Sequence, residues 1–361
     1  MRTEDLDFPL PEELIARHPP ERRGRSRLLV VHCRSGELEH RSFRELPEVL
    51  GGGDLLVRNR TRVIPALLRL RKESGGRVEG LFLEEVPGRA GQARLLLEGA
   101  RLRPGLRLRP AAGEEPVLEL LERETGRPGP WRVRFEGAGD WPSFLARAGA
   151  TPLPPYIRRL RRAAGEDEIE ARDAELYQTV WAEEDGAVAA PTASLHFDGD
   201  LLRALAAGGL RFADLILHVG AGTFLPVTSE RLEDHRMHGE VYRVPRRSWE
   251  ALQSTRRRGG RVVAAGTTVC RVLEELGLQG ADPALEGTAR IFLKPGSAFR
   301  WTDVLLTNFH TPRSTLLALV AAFAAHAGAG DGLAFVKEVY AEAVARRYRF
   351  YSYGDASLWM P

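Results

Sequence analysis

Cysteine is nearly missing from this chain. Cys33 and Cys270 are the only two in 361 residues, they lie far apart, and no Cys-x-x-Cys spacing occurs. A disulfide framework and a cysteine-rich zinc site are thereby excluded. The nine histidines form no His-x-His or His-x-x-x-His pair, so no metal is expected. No run approaches the ~20 apolar residues that cross a bilayer, which leaves no membrane partner to expect. The amino-terminal stretch MRTEDLDFPLPEELIARHPP is acidic, broken by proline and without a hydrophobic signal core. The expected address is therefore the cytoplasm. Lysine is scarce as well, confined to Lys72, Lys294 and Lys337, and arginine supplies the rest of the 52 basic side chains.

Codon usage in a GC-rich genome is the simplest account of that arginine excess. The planar guanidinium nevertheless suits phosphate, because it donates two parallel hydrogen bonds. Arg158-Arg159-Leu160-Arg161-Arg162 and Arg256-Arg257-Arg258 are runs that could track an RNA backbone, although each alone reads as solvated surface. A net charge of +3 permits a polyanionic partner without demanding one.

What is present fits a globular protein: 43% hydrophobic and 28% charged residues, in a chain long enough for two domains. RLLVVH at Arg27 to His32 and Leu55 to Val57 read as buried strands, and Pro11 to His18 as a helical turn. From Val63 to Glu136 short alternating runs are separated by Gly- and Pro-rich turns. That spacing predicts a small antiparallel β-barrel inserted into the first domain. Beyond Pro152 strands and helices alternate. Ala213–Val219, Arg261–Ala265, Ile291–Leu293 and Val304–Leu306 read as strands. Gly199–Ala207, Trp249–Arg257, Val269–Leu276, Pro312–His326 and Leu333–Tyr348 read as helices. The expected fold class is α/β: a mainly parallel sheet with helices over 1–62 and 150–361, interrupted by the barrel at 63–149.

Open α/β sheets bind ligands beyond the carboxyl ends of their strands. Three such ends carry small polar residues. His218-Val219-Gly220-Ala221-Gly222-Thr223 has two glycines that let a ligand approach the backbone, or simply turn the chain. Gly266-Thr267-Thr268 precedes an apolar helix that either threonine could cap, with free N–H groups suited to a carboxylate or phosphate. Thr307-Asn308-Phe309-His310-Thr311-Pro312 links a strand to a helix that Pro312 would open. His196, His218, His238 and His310 sit among small or polar residues, and His238-Gly239-Glu240 sets imidazole beside carboxylate. Their scatter suits proton transfer or purine recognition better than metal binding. The aromatic tail Tyr348 to Asp355 reads as a plug against the sheet, with base stacking as the alternative.

Taken in order, several strings resemble one family. They include Phe8 to Ala16, Ser26 to Val30, Gly53 to Val57, Thr61 to Ala66, Pro154 to Ile157, Tyr177 to Val180 and Gly186 to Ala193. Leu195 to Phe197, His218 to Pro226, Met237 to Glu240, Gly266 to Thr268, Thr307 to Thr315 and Tyr348 to Asp355 complete the series. Together these resemble the S-adenosylmethionine:tRNA ribosyltransferase-isomerases of queuosine biosynthesis. Arg60, Ser194 and Thr311 stand where that family usually carries Asp, Gly and Leu, and the ending Ala356 to Met360 also departs from its pattern.

The resemblance implies S-adenosyl-L-methionine as co-substrate, with no metal. The partner would be the anticodon stem-loop of a tRNA whose wobble position carries 7-aminomethyl-7-deazaguanine. Products would be epoxyqueuosine-tRNA, adenine and methionine, and a monomer is expected. Proton transfer falls to His310, His218 or Glu240, with Asn308 beside them. The substrate-binding set is Asp54, Arg62, Thr192, His196, Gly220, Gly222, Thr223, His238, Thr267, Thr268, Thr307 and Tyr353. Two other classes compete: an S-adenosylmethionine-dependent RNA methyltransferase, favoured by the Gly-Ala-Gly loop, and a non-catalytic RNA-binding protein, favoured by the barrel and the arginines.

Overall fold

Runs of Leu, Val and Ala with no polar interruption need cover on both faces, and they receive it. The computed structural model describes the whole chain except residues 114–115, 126–128, 138, 221, 223–228, 236 and 238. In it Arg211–Leu217, Leu55–Asn59, Val262–Ala265 and Val304–Asn308 lie side by side in that order, all parallel. Every residue of the last two strands is buried.

Antiparallel partners widen this parallel centre into a nine-stranded mixed sheet. Glu240–Arg243 and Glu286–Ala289 extend one edge. On the other, Ala356–Met360 runs antiparallel to Val304–Asn308, and Arg27–His32 and Leu38–Ser42 follow it. Helices cover both faces. Arg246–Arg257, Thr267–Gln279, Thr315–Ala324 and Gly332–Ala345 bury one core with Leu55, Val57, Leu215, Leu217 and Leu305. Phe43, Leu46 and the helix Gly199–Ala207 close the other over Leu56, Val263, Ala265 and Leu306.

The barrel forms as its alternation requires. Leu67–Lys72, Arg77–Glu85, Gln92–Glu98, Trp131–Glu136, Val117–Arg123 and Arg107–Pro110 pair in that spatial order, and the last pairs back onto the first. Closure removes both edges. Trp141 and Phe144 of helix Trp141–Ala148 fill one end, with Asp140 accepting the Ser143 N–H at 2.8 Å as its cap. Gly149 then slips past the chain entering the barrel, where a Cβ would stand 1.8 Å from the Pro65 carbonyl oxygen. Just before that entry, Thr61–Val63 pairs in parallel with Glu184–Ala187 as a separate two-stranded ladder.

Several local expectations need correction. Ile291–Leu293 is not a strand; the edge strand is Glu286–Ala289, because its N–H and C=O groups face Glu240–Arg243. Pro312 does not open the next helix. Ser314 accepts the Leu317 N–H at 3.2 Å, and the helix starts at Thr315. Neither Thr267 nor Thr268 caps its helix, since the preceding position is Gly266 at φ +107 with no side chain to offer. The aromatic tail packs into the core, and Ala356–Met360 beyond it becomes an interior strand. Among the described residues no single helix is long and apolar enough to cross a membrane.

Candidate functional site

The parallel strands end together, and polar side chains gather where their ladders stop. Asn59 ties two ends: its Nδ2 donates to the Leu217 carbonyl at 2.9 Å, and its Oδ1 accepts the Leu217 and Thr61 N–H groups at 3.1 Å. The turn so fixed sets Thr61 Oγ1 at 2.9 Å from His218 Nδ1. The ring also lies against Gly186, where a Cβ would come within 2.6 Å of its atoms. His218 keeps 28% of its side chain exposed, far more than His196 or His310. Burial still lowers its pKa below the usual 6.5, so the ring is neutral at pH 7.

A second cluster forms around the turn Thr192–Ser194. Asn308 Nδ2 donates to His196 Nε2 at 3.2 Å, and His196 Nδ1 donates to Ser26 Oγ at 2.6 Å. An imidazole that accepts at one nitrogen must be neutral, and burial pushes the His196 pKa down to about 4. With its amide nitrogen engaged, Asn308 is left with an unpartnered buried Oδ1. Ser194 Oγ and Thr268 Oγ1 are likewise buried without a partner. The segments that carry the three adjoin. Ala193 packs against Gly266, 3.7 Å from where its Cβ would be, and Thr268 Oγ1 is equally near that point. The Gly266 N–H donates to the Leu306 carbonyl at 2.8 Å, closing the group around adjacent strand ends. Buried polar groups are nearly always paired, so three orphans on adjoining segments mark a candidate place for a ligand.

Strand alternation sorts the candidates by face. Val304 and Leu306 lie in the core beside Phe43 and Phe197, and Asn308 follows them to that side, against His196. His218 follows Ile216 and Asp214, opposite the face of Leu215, Leu217 and Val219. Three strand spacings, about 14 Å, separate the two sites along one sheet face. Thr307 points the other way, with Leu305 and Phe309. His310 joins it: Thr307 Oγ1 lies 2.8 Å from Nε2, and the His310 N–H donates to Tyr340 Oη at 3.0 Å. Burial alone depresses the His310 pKa to about 3. Glu240 is buried and bound to Arg271, and its Oε1 accepts the Gly220 N–H at 3.0 Å. It holds the Gly220 turn, and a Cβ on Gly220 would meet open space.

Other expected residues stand apart. Asp54 precedes strand Leu55–Asn59, about 17 Å along the strand from the site end. Arg261 binds its carboxylate at 2.6 and 2.9 Å. An open cleft of about 580 Å³ lies there, lined by Pro47–Asp54 and Arg258–Arg261, at the wrong end for the strand-end chemistry. Arg62 is exposed, donating to the Ala182 carbonyl at 2.9 Å and facing Asp185 at 3.5 Å. Thr192 opens the turn that holds Ser194 and His196, and Thr267 is buried at the first position of its helix. Tyr353 is buried beside Tyr177 with its hydroxyl unpartnered. Gly222 is half-buried, and Thr223 and His238 lie outside the described residues. Arg60 is paired with Glu183 and with Asp214 at 3.5 Å, so its charge is answered within the chain. Among the described residues no group of His, Cys, Asp and Glu is arranged to hold a metal ion.

Sequence reasoning missed Asn59, Thr61, Gly186, Ser26 and Ser194 as site builders. Ser26, Thr61 and Gly186 each lay inside a string quoted above for the resemblance, so the signal was present but carried no role.

This arrangement has relatives. The profile of the family described as "Queuosine biosynthesis protein" matches residues 3–359. The chain belongs to that family. It is 49% identical to the S-adenosylmethionine:tRNA ribosyltransferase-isomerase of Rubrobacter xylanophilus, over 99% of this chain and 97% of that one. The enzyme of that name from Thiobacillus denitrificans is 48% identical, over 99% and 96%. The crystal structure of S-adenosylmethionine tRNA ribosyltransferase from Thermotoga maritima aligns with a TM-score of 0.55 at 36% identity, covering 99% of this chain and all of that one. Family membership thus covers the sheet, the barrel and both polar clusters.

Proposed function

We propose that this chain is an enzyme that transfers the ribosyl group of S-adenosylmethionine to tRNA and isomerises it. The acceptor is 7-aminomethyl-7-deazaguanine at the wobble position, and the products are epoxyqueuosine-tRNA, adenine and methionine. Full-length identity near one half to relatives bearing that activity in their names carries the reading. The unpartnered Asn308 Oδ1, Ser194 Oγ and Thr268 Oγ1 agree with it, because a nucleoside supplies donors and acceptors to match.

In this reading the adenosine half of the donor lies between helix Thr267–Gln279 and the turn Thr192–Ser194, within reach of Asn308. The sulfonium acidifies the ribose C5′ hydrogens, and a neutral imidazole can remove one. His218 fits that task best, being neutral, the most accessible of the three described site histidines and steadied by Thr61. Proton loss gives an ylide as adenine leaves C1′. Adenine leaves with a proton, and the aminomethyl nitrogen of the base attacks the opened ribosyl fragment and loses a proton in turn. Carbocycle closure expels methionine and leaves the epoxide. His310 and Glu240 support the fold around the site and take no proton.

The barrel, taken as a separate domain over 63–149, offers surface to the anticodon stem-loop. A monomer in the cytoplasm is part of the same proposal. Incubation with precursor-bearing tRNA and S-adenosylmethionine, followed by nucleoside mass spectrometry, tests it. Free adenine, methionine and epoxyqueuosine are expected. S-adenosylhomocysteine would indicate methyl transfer instead, and salt-dependent tRNA binding without donor turnover would indicate an RNA-binding protein.

A further inference from the structure

One guanidinium near the site has no close counter-ion, although the Glu175 and Asp198 carboxylates act on it from farther off. Arg23 is half-buried, and its head donates only to backbone carbonyls: Nη1 to Leu195 at 3.4 Å and Nη2 to Glu175 at 3.0 Å. Among the described residues it makes no ion pair. Of the carboxylates nearby, exposed Glu175 acts on Arg23 from beyond ion-pair distance, and the others are used elsewhere. Asp198 accepts from Arg44 at 2.9 Å and caps Leu201 at 2.8 Å. Asp173 is buried against Arg161, with contacts of 2.6 and 2.9 Å. Asp355 is bound by Arg27 and leaves Arg349 at 4.0 Å. A guanidinium offers five N–H donors, so most of those on Arg23 remain free.

Beside it stands an unused hydroxyl. Leu195, whose carbonyl Arg23 holds, packs in one apolar cluster with Tyr353, Tyr177 and Ile157. Tyr353 is 2% exposed, yet its Oη has no partner. Burial lowers the pKa of Arg23 and raises that of Tyr353, each away from its charged form. A half-desolvated cation and an orphaned donor next to one another are costly unless something anionic completes them. His196 follows Leu195 directly, so the place borders the Asn308 cluster.

We propose that Arg23 and Tyr353 form an anion subsite at the margin of the donor pocket, taking a pair of anionic oxygens from a phosphodiester or a carboxylate. The planar fork of arginine matches either group, and the phenol adds one donor. Which substrate brings the anion rests on the ribosyl-transfer reading: the RNA backbone beside the wobble nucleotide, or the methionyl carboxylate of the donor. The subsite itself does not depend on that reading.

The test uses the full chain and two variants, Arg23→Gln and Tyr353→Phe. Inorganic phosphate should raise the melting temperature of the wild-type protein, and either substitution should abolish or reduce that rise. With tRNA as probe, Arg23→Gln should lower the slope of log K against log salt by about one if the anion is a phosphodiester. In that case KM for tRNA rises while KM for the donor stays. A rise in donor KM with an unchanged salt slope assigns the carboxylate instead. Unchanged phosphate response, salt slope and both KM values in a folded Arg23→Gln protein overturn the subsite. Tyr353→Phe, which removes a single oxygen, serves if Arg23→Gln does not fold. Wild-type protein that binds phosphate through Arg23 but releases no adenine would sink the function and spare the subsite.

Discussion

Asn308 and His196 meet across 112 residues of sequence, the amide nitrogen of one donating to the Nε2 of the other. Each fixes the other: the neutral ring holds the amide in one orientation, and that orientation turns Oδ1 away from His196. Ser26 completes the chain at His196 Nδ1, which sets the tautomer.

Asn308→Ala should therefore weaken the donor and spare the RNA. A hydrogen bond made by a buried group is worth about 1–3 kcal/mol when its loss strands a partner, which is roughly 5- to 150-fold in kcat/KM. Ser26→Ala should act in the same direction by a smaller factor, and Ser26→Thr should restore most of it. Steady-state kinetics with tRNA saturating and donor varied measures this. Equal donor parameters in folded wild-type and Asn308→Ala protein would remove Asn308 from the pocket.

His218 and His310 are predicted to separate cleanly. His218→Gln should reduce kcat by ~10²–10⁴, the usual contribution of a positioned base. His310→Gln should leave kcat within a few-fold, because its ring is spent on Thr307 across the sheet. The pH profile carries the same distinction. Only neutral His218 accepts a proton, and its pKa lies below 6.5. The acid limb of kcat/KM should fall below pH 6.5 in the wild type and vanish from the residual rate of His218→Gln. The reverse ranking of the two variants would move the base to His310.

Much of this architecture is legible in the sequence. Gly199–Ala207 is a helix over the expected span, and RLLVVH is a strand, because capping by Asp198 and an uninterrupted apolar run are local facts. Local facts fail where partners decide. The run Ile291–Leu293 is apolar yet lies beside the sheet, while the polar Glu286–Ala289 is a strand because Glu240–Arg243 needs an edge partner. For the site, proximity to a strand end was readable, but facing was not. Thr307 and Asn308 are neighbours in sequence and serve opposite faces. Asp54 belonged to a matching string, but it precedes its strand and so lies at the far end.

Glu240→Ala should be destabilising in a way that its partner reveals. The substitution strands buried Arg271 and frees the Gly220 N–H, and breaking a buried pair costs about 3–5 kcal/mol. Replacing both, as Glu240→Ala with Arg271→Met, should recover a large part of that loss, since no lone charge remains. Chemical denaturation of the two single variants and the double variant closes the cycle. Additive losses would show that the two residues do not act as a pair.

Buried histidines also predict how stability depends on pH. His196 and His310 have folded values of about 4 and about 3, against 6.5 in the unfolded chain. Above pH 6.5 both states hold neutral rings, and the contribution is constant. Between 6.5 and the folded values only the unfolded chain takes up protons. Stability therefore falls as pH falls, by up to about 1.4 kcal/mol per pH unit for each ring. Below the folded values the slope from these groups disappears. Urea midpoints for wild type and His310→Gln between pH 4.5 and 7.5 should diverge toward the acid end, with the variant the flatter of the two. Parallel curves would mean that His310 is solvated enough to titrate normally, and its pairing with Thr307 under Tyr340 would then be open to water.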